Sequence, residues 1–271
     1  MIDFNVFKDG KRHAVTFSYD DGNFEGDQTL IAKLNAHNAK GTFHLNSSRY
    51  ENATEERLAE LRSLYEGHEV AAHTVNHAFL EGIPMTSVIN EALEDRKALE
   101  RIFGRIVRGM SYPFGMYNDE IKEIFRYCGI AYSRTVNSTK RFTLPNDFLA
   151  WNPTCHHKAA LECAESFIEG VDSKNKHMLF YIWGHSTEFN HDNNWDLLDE
   201  LLDKICGLDN VWYATNMEIY GYKTAQKQLI VSADESIVYN PTQIEVCIRH
   251  SKSYARPMDV VAIKPGETVR L

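Results

Sequence analysis

Apolar residues recur along the chain in two alternating rhythms. Short runs rich in β-branched and aromatic residues, at His13 to Tyr19, Gly41 to Leu45, Glu69 to His73, Val107 to Tyr112, Ile130 to Thr135, Met178 to Trp183 and Val211 to Ala214, read as strands. Between them, stretches near Asp27 to Asn38, Thr54 to Glu66, Thr86 to Phe103, Asp119 to Cys128, Lys158 to Glu169, Trp195 to Cys206 and Asn216 to Tyr222 carry the helical period. The clearest helix starts at Thr86 or Ser87 behind Pro84, is apolar at Val88, Ile89, Leu93, Leu99 and Ile102, and stops at Gly104. Cap, period and terminator agree there. Repeated β-α units imply a parallel sheet with helical crossovers, and seven are too many for a small open sheet. The expected architecture is α/β, a distorted (β/α) barrel of seven strands with its chemistry in the loops after the strand C-termini.

After about Ala225 the rhythm changes. Short β-branched runs at Leu229 to Val231, Ile244 to Ile248 and Val260 to Ile263 are broken by Asn240-Pro241, Pro257 and Pro265-Gly266, with no helical period. The expected division is a barrel over residues 1–225 and a small antiparallel β appendage over residues 226–271.

A chain of 271 residues buries a full-sized core without staples. The formal net charge of −9, with no Lys/Arg-rich run, speaks against a nucleic-acid partner. No stretch approaches a membrane span and the N-terminus lacks the features of a secretory signal, so a cytoplasmic protein is expected, with oligomerisation left open. Five widely spaced cysteines without a CxxC pattern read as reduced, mostly buried thiols.

Three places carry candidate chemistry. In Thr16-Phe17-Ser18-Tyr19-Asp20-Asp21-Gly22 an apolar strand runs into two adjacent carboxylates. Their repulsion is relieved if one holds a cation and the other serves as a base, whereas the bland alternative is an ordinary Asp-Asp-Gly turn. In Ala71-Ala72-His73-Thr74-Val75-Asn76-His77 two imidazoles four residues apart reach one ion if the segment turns helically. His185, just past the apolar strand ending in Trp183, is a candidate general acid; a structural histidine is the alternative.

The order Asp-Asp-Gly, His-Thr-x-x-His, the turn Pro113-Phe114-Gly115 and a late strand ending in His resembles the polysaccharide deacetylase family, carbohydrate esterase family 4, over roughly residues 13 to 215. The resemblance is to chitooligosaccharide deacetylase-like members. It implies a hydrolase removing acetyl groups from N-acetylated amino sugars or oligosaccharides. Asp20 would be the base, His185 the acid, and Asp21, His73 and His77 the ligands of a divalent metal. Zinc is the family's usual ion, and cobalt, nickel or iron also suit such donors. The backbone N-H of Phe114 would hold the oxyanion, and Tyr112, Pro113, Phe114, Trp151 and Trp183 would line the substrate.

Two departures stand out. Where the family places an arginine two residues before the proline, this chain has Ser111, and Arg134 at the end of the next strand is preferred over Arg108 as the replacement guanidinium. The family's fourth motif has no clean match. Phe148 to His157 occupies its place, with Trp151 either a sugar-stacking wall or a packed core residue and His156 and His157 either polar contacts or loop histidines. Glu188 and Trp195 near the same mouth stay unassigned. Competing readings are an O-acetyl esterase, hydrolysis of another carbon-nitrogen bond, and a sugar-binding protein without turnover.

Overall fold

All eight residues of His13–Asp20 are buried, as expected of a parallel strand covered on both faces. In the computed structural model, which describes residues 1–171, 176–251 and 258–271, this strand organises the molecule. In chain order the elements are β1 (Ile2–Asp3), β2 (His13–Asp20), α1 (Phe24–Ala36), β3 (Gly41–Leu45), α2 (Glu55–Leu64), β4 (Glu69–Ala72), α3 (Met85–Phe103), β5 (Gly109–Ser111), α4 (Asp119–Tyr127), β6 (Tyr132–Arg134), β7 (Cys155–His156), α5 (Ala160–Val171), β8 (Met178–His185), α6 (Ser186–Asp192), α7 (Trp195–Ile205), β9 (Val211–Tyr213) and α8 (Asn216–Lys227). Beyond them lie β10 (Ile230–Val231), β11 (Ile237–Tyr239), β12 (Val246–His250), β13 (Asp259–Ile263) and β14 (Thr268–Arg270).

The parallel sheet runs β6-β5-β4-β3-β2-β8-β7. Residues 151–156 close it into a seven-staved distorted barrel. Trp151 exchanges backbone bonds with Ser133 and Thr135 beside β6, while Thr154 N donates to Tyr181 O and Cys155 pairs with Ile182 of β8. The expected fold is therefore present, but its seventh stave is not Val211 to Ala214. That segment, β9, pairs with the first three residues of β2, on the edge whose upper half is taken by β3. The true stave carries Pro153 and no alternating pattern, so its strand character comes from barrel closure rather than from local preference.

Helix α3 ends as expected, with Gly104 in the left-handed conformation. It begins earlier than expected, at Met85 with Pro84 as its cap and no side-chain capping bond. Helix α6 has no counterpart among the expected elements, its only apolar residue being Phe189. After α8 the chain forms two small antiparallel sheets, β10-β11-β14 and β1-β12-β13, so Ile2 and Asp3 join the appendage. The break expected at Pro257 falls outside the described residues. All five cysteines are free, and four are buried. No helix among the described residues is long and apolar enough to cross a membrane.

Candidate functional site at the barrel mouth

Strand ends bring the candidate residues together. Asp20 is the last residue of β2 and lies in register with His185, the last residue of β8. β4 delivers His73 and β6 delivers Arg134, so all four project at the C-terminal end of one barrel.

Asp20 is buried, and its carboxylate bonds to the Arg134 guanidinium and accepts from Ser111 Oγ at 3.1 Å. Burial alone would raise the carboxyl's pKa. The Arg134 charge, helped by His73 and His44, more than offsets this and holds the group well below the usual carboxylate range. Arg134 is itself fully buried and lies 4.5 Å from the Trp183 ring centroid. Arg108, by contrast, donates to Gly129 O and lines a cavity of about 910 Å³ at the opposite end of the strands.

Asp21, His73 and His77 each offer one ligand atom, all within 4.8 Å of one another. His73 Nε2 lies 3.6 Å, and His77 Nε2 3.9 Å, from Asp21 Oδ1. His73 Nδ1 sits 2.9 Å from the Ser111 carbonyl, which can only accept, so Nδ1 carries the proton and Nε2 is bare toward Asp21. Burial lowers the pKa of His73 and keeps the ring neutral, as a metal ligand requires. Two neutral-capable imidazoles, one carboxylate and a fixed tautomer fit a divalent transition metal.

The two histidines do not meet on a helical turn. Residues 73–77 form an irregular loop, with Thr74 at φ 65° and His77 at φ 53°. For a β-branched threonine this is a genuine outlier. The neighbours impose it. Asn46 Nδ2 donates to the carbonyls of His73 and Thr74, Asp95 accepts the His73 N-H, and Glu91 accepts from the backbone and side chain of Asn76. Asp21 at φ 76° and Phe114 at φ 57° are likewise left-handed, so four non-glycine residues of this site share the strained region. Asn46, Asp95 and Glu91 carry no local sequence signal for this role because they act on a loop distant from them in the chain.

His185 Nδ1 lies 2.6 Å from Glu188 Oε1. Glu188, unassigned from the sequence, therefore holds a neighbouring side chain. Of the residues expected to line substrate, Phe114 is 58% exposed with its ring centroid 4.4 Å from that of His77, and Trp183 is half-buried. Phe79, not singled out in the sequence, is 49% exposed beside Phe114. Trp151 is not a sugar wall: it is fully buried among Tyr132, Phe148 and Tyr181. Pro113 is buried, and Tyr112 is buried with its hydroxyl donating to Leu149 O, so neither side chain reaches a ligand in the mouth. Trp195 opens α7 and stacks on Phe189.

Fold and site define a (β/α) barrel with an Asp-His-His ligand group beside a buried, arginine-paired carboxylate. Residues 7–133 match the family model for polysaccharide deacetylases. Arg134 is the first residue beyond that match, and His185 lies well outside it. A chitin deacetylase of Pestalotiopsis is 27% identical over 102 residues, 38% of this chain and 34% of that protein. A chitin deacetylase of Arthroderma benhamiae is 29% identical over 114 residues, 40% of this chain and 30% of that protein. The matched stretch thus spans about a third of these relatives' own length. A crystal structure from Mycobacterium smegmatis shares the fold with a TM-score of 0.63 at 18% identity, covering 82% of this chain and 93% of that one.

Proposed function

We propose that this chain is a divalent-metal-dependent hydrolase that removes acetyl groups from N-acetylated amino sugars or their oligosaccharides. One observation carries the reading: the Asp20 carboxylate, kept ionised by Arg134, stands directly beside the Asp21-His73-His77 ligand group at the barrel mouth. Side by side these acids are costly unless one is a ligand and the other a base. The chitin deacetylases among the relatives support an N-acetylglucosamine-type substrate.

In this reading Asp21, His73 and His77 hold the ion, zinc being the first choice for such donors. When bound, it supplies Lewis acidity to the acyl oxygen and acidity to water. Asp20 takes the proton of the attacking water, while Ser111 Oγ and Arg134 fix its carboxylate. The backbone N-H of Phe114 donates to the developing oxyanion. Across the mouth His185, oriented through Nδ1 by Glu188, delivers a proton to the leaving amine. Phe79, Phe114 and Trp183 offer ring surface to the sugar.

The test is acetate release by metal-reconstituted protein from N-acetylglucosamine oligomers and O-acetylated xylan fragments, with Asp20→Asn as control. Release from the amide substrates that needs both metal and Asp20 supports the reading. Release only from xylan moves it to an O-acetyl esterase, and full activity of Asp20→Asn sinks the mechanism.

A further inference from the structure

The mechanism above makes no use of the histidine pair that follows β7's Cys155. His157 is fully buried, and neither ring nitrogen finds a hydrogen-bond partner among the described residues. An orphaned buried polar group is destabilising, so it calls for an explanation.

Its seat is built for the ring. His157 stacks between Phe189, with centroids 4.2 Å apart, and Tyr19, 5.9 Å away. Gly184 makes the room, since a Cβ there would collide with His157 Nδ1. On its other side, His157 Nε2 lies 3.9 Å from Glu188 Oε2, and His156 Nε2 lies 3.2 Å from Glu188 Oε1.

We propose that His156, His157 and Glu188 form a second divalent-cation site, distinct from the Asp21-His73-His77 group. One ligand atom from each lies within 4.8 Å of the others. Two imidazole nitrogens and a carboxylate oxygen select a borderline transition ion such as Zn²⁺ or Co²⁺ over Mg²⁺ or Ca²⁺, which prefer all-oxygen shells. The buried His157 ring, with neither nitrogen hydrogen-bonded among the described residues, has a lone pair free for an ion. The Glu188 carboxylate supplies the oxygen donor and is already aimed at this cluster by His185 Nδ1 at 2.6 Å.

Lys158 guards the site and can leave it. Its ammonium lies 2.9 Å from Glu188 Oε2 and 2.7 Å from Asp192 Oδ2, so on ion binding it gives up the first partner and keeps the second. His156 Nδ1 accepts the Lys158 backbone N-H at 3.3 Å, which places its proton on Nε2. Ligation through Nε2 moves that proton to Nδ1 and gives up this long bond.

The experiment is a Zn²⁺ titration of the chelator-stripped full chain by equilibrium dialysis, with Co²⁺ visible absorption as an independent view of ligand type. The wild type is expected to bind two ions per chain. His157→Gln and Glu188→Gln should each lose one, His77→Gln the other, and the His77→Gln/Glu188→Gln double variant both. Glu188 is partly exposed, so Glu188→Gln decides the matter if His157→Gln does not fold. A single ion that His77→Gln abolishes and Glu188→Gln retains overturns the proposal, as does an absence of binding. A single ion lost in Glu188→Gln and kept in His77→Gln leaves this site standing and removes the Asp21 centre, so the two readings fail separately.

Discussion

The Arg134 guanidinium and the Asp20 carboxylate, delivered by β6 and β2 from opposite parts of the barrel wall, meet in its interior with both side chains buried. Ser111, where the sequence lacks the expected arginine, donates to the same carboxylate that Arg134 pairs with. Removing one partner of such a pair strands the other charge. Arg134→Met is expected to destabilise the fold by about 3–5 kcal/mol. It should also raise the Asp20 pKa, so that the acid limb of the kcat/KM profile moves to higher pH. Urea unfolding and a pH-rate profile check both halves.

A general acid matters in proportion to how poor the leaving group is. His185→Gln should lower the rate on an N-acetylglucosamine oligomer by about 10²–10⁴-fold. Hydrolysis of 4-nitrophenyl acetate, whose leaving group needs no proton, should change far less. Equal losses on the two substrates would remove the acid role from His185.

The two tryptophans separate packing from recognition. Trp151→Ala empties a fully buried site and should cost about 3–5 kcal/mol, with KM of the folded molecules unchanged. Trp183→Ala should do the reverse, raising KM for oligosaccharides severalfold with a small change in unfolding midpoint. Steady-state kinetics and denaturant midpoints on both proteins give the comparison.

Asp27 sits behind the mouth, fully buried, accepting from Tyr65 Oη and Ser186 Oγ at 2.6 Å each. Burial lifts its pKa from the ordinary 3.8 to about 7. Between those values the folded state holds a proton that the unfolded state has lost. Stability from this group is therefore complete below pH 4 and falls as pH rises toward 7, by about 1.4 kcal/mol per pH unit. Asp27→Asn removes that slope. Urea midpoints at pH 5 and pH 8 should show the wild type losing ground to the variant, and parallel curves would refute the assignment.

What could be read from the sequence follows from how local each signal is. Strand β2 and helix α3 announce themselves through unbroken apolar runs and period, and the Asp20-Asp21 and His73-His77 pairs stand at the ends of such runs. Residues 151–156 do not, because a stretch with Pro153 becomes a stave only when β6 and β8 present their free edges. The same closure buries Trp151, which as an aromatic in an apparent loop invites a binding role. The convergence of His73 and His77 was legible as spacing but not as geometry, since it depends on Asn46, Glu91 and Asp95 from other elements.

The left-handed backbone at Thr74 and Phe114 sets this protein at odds with any search for mere robustness. Glycine carries no Cβ penalty in that conformation, so Thr74→Gly or Phe114→Gly recovers up to about 1–2 kcal/mol of local strain. A library sorted for heat resistance alone would accumulate these changes. Each winner would have relaxed the loops that aim His77 and the Phe114 amide, so the hardiest descendants would be the poorest catalysts.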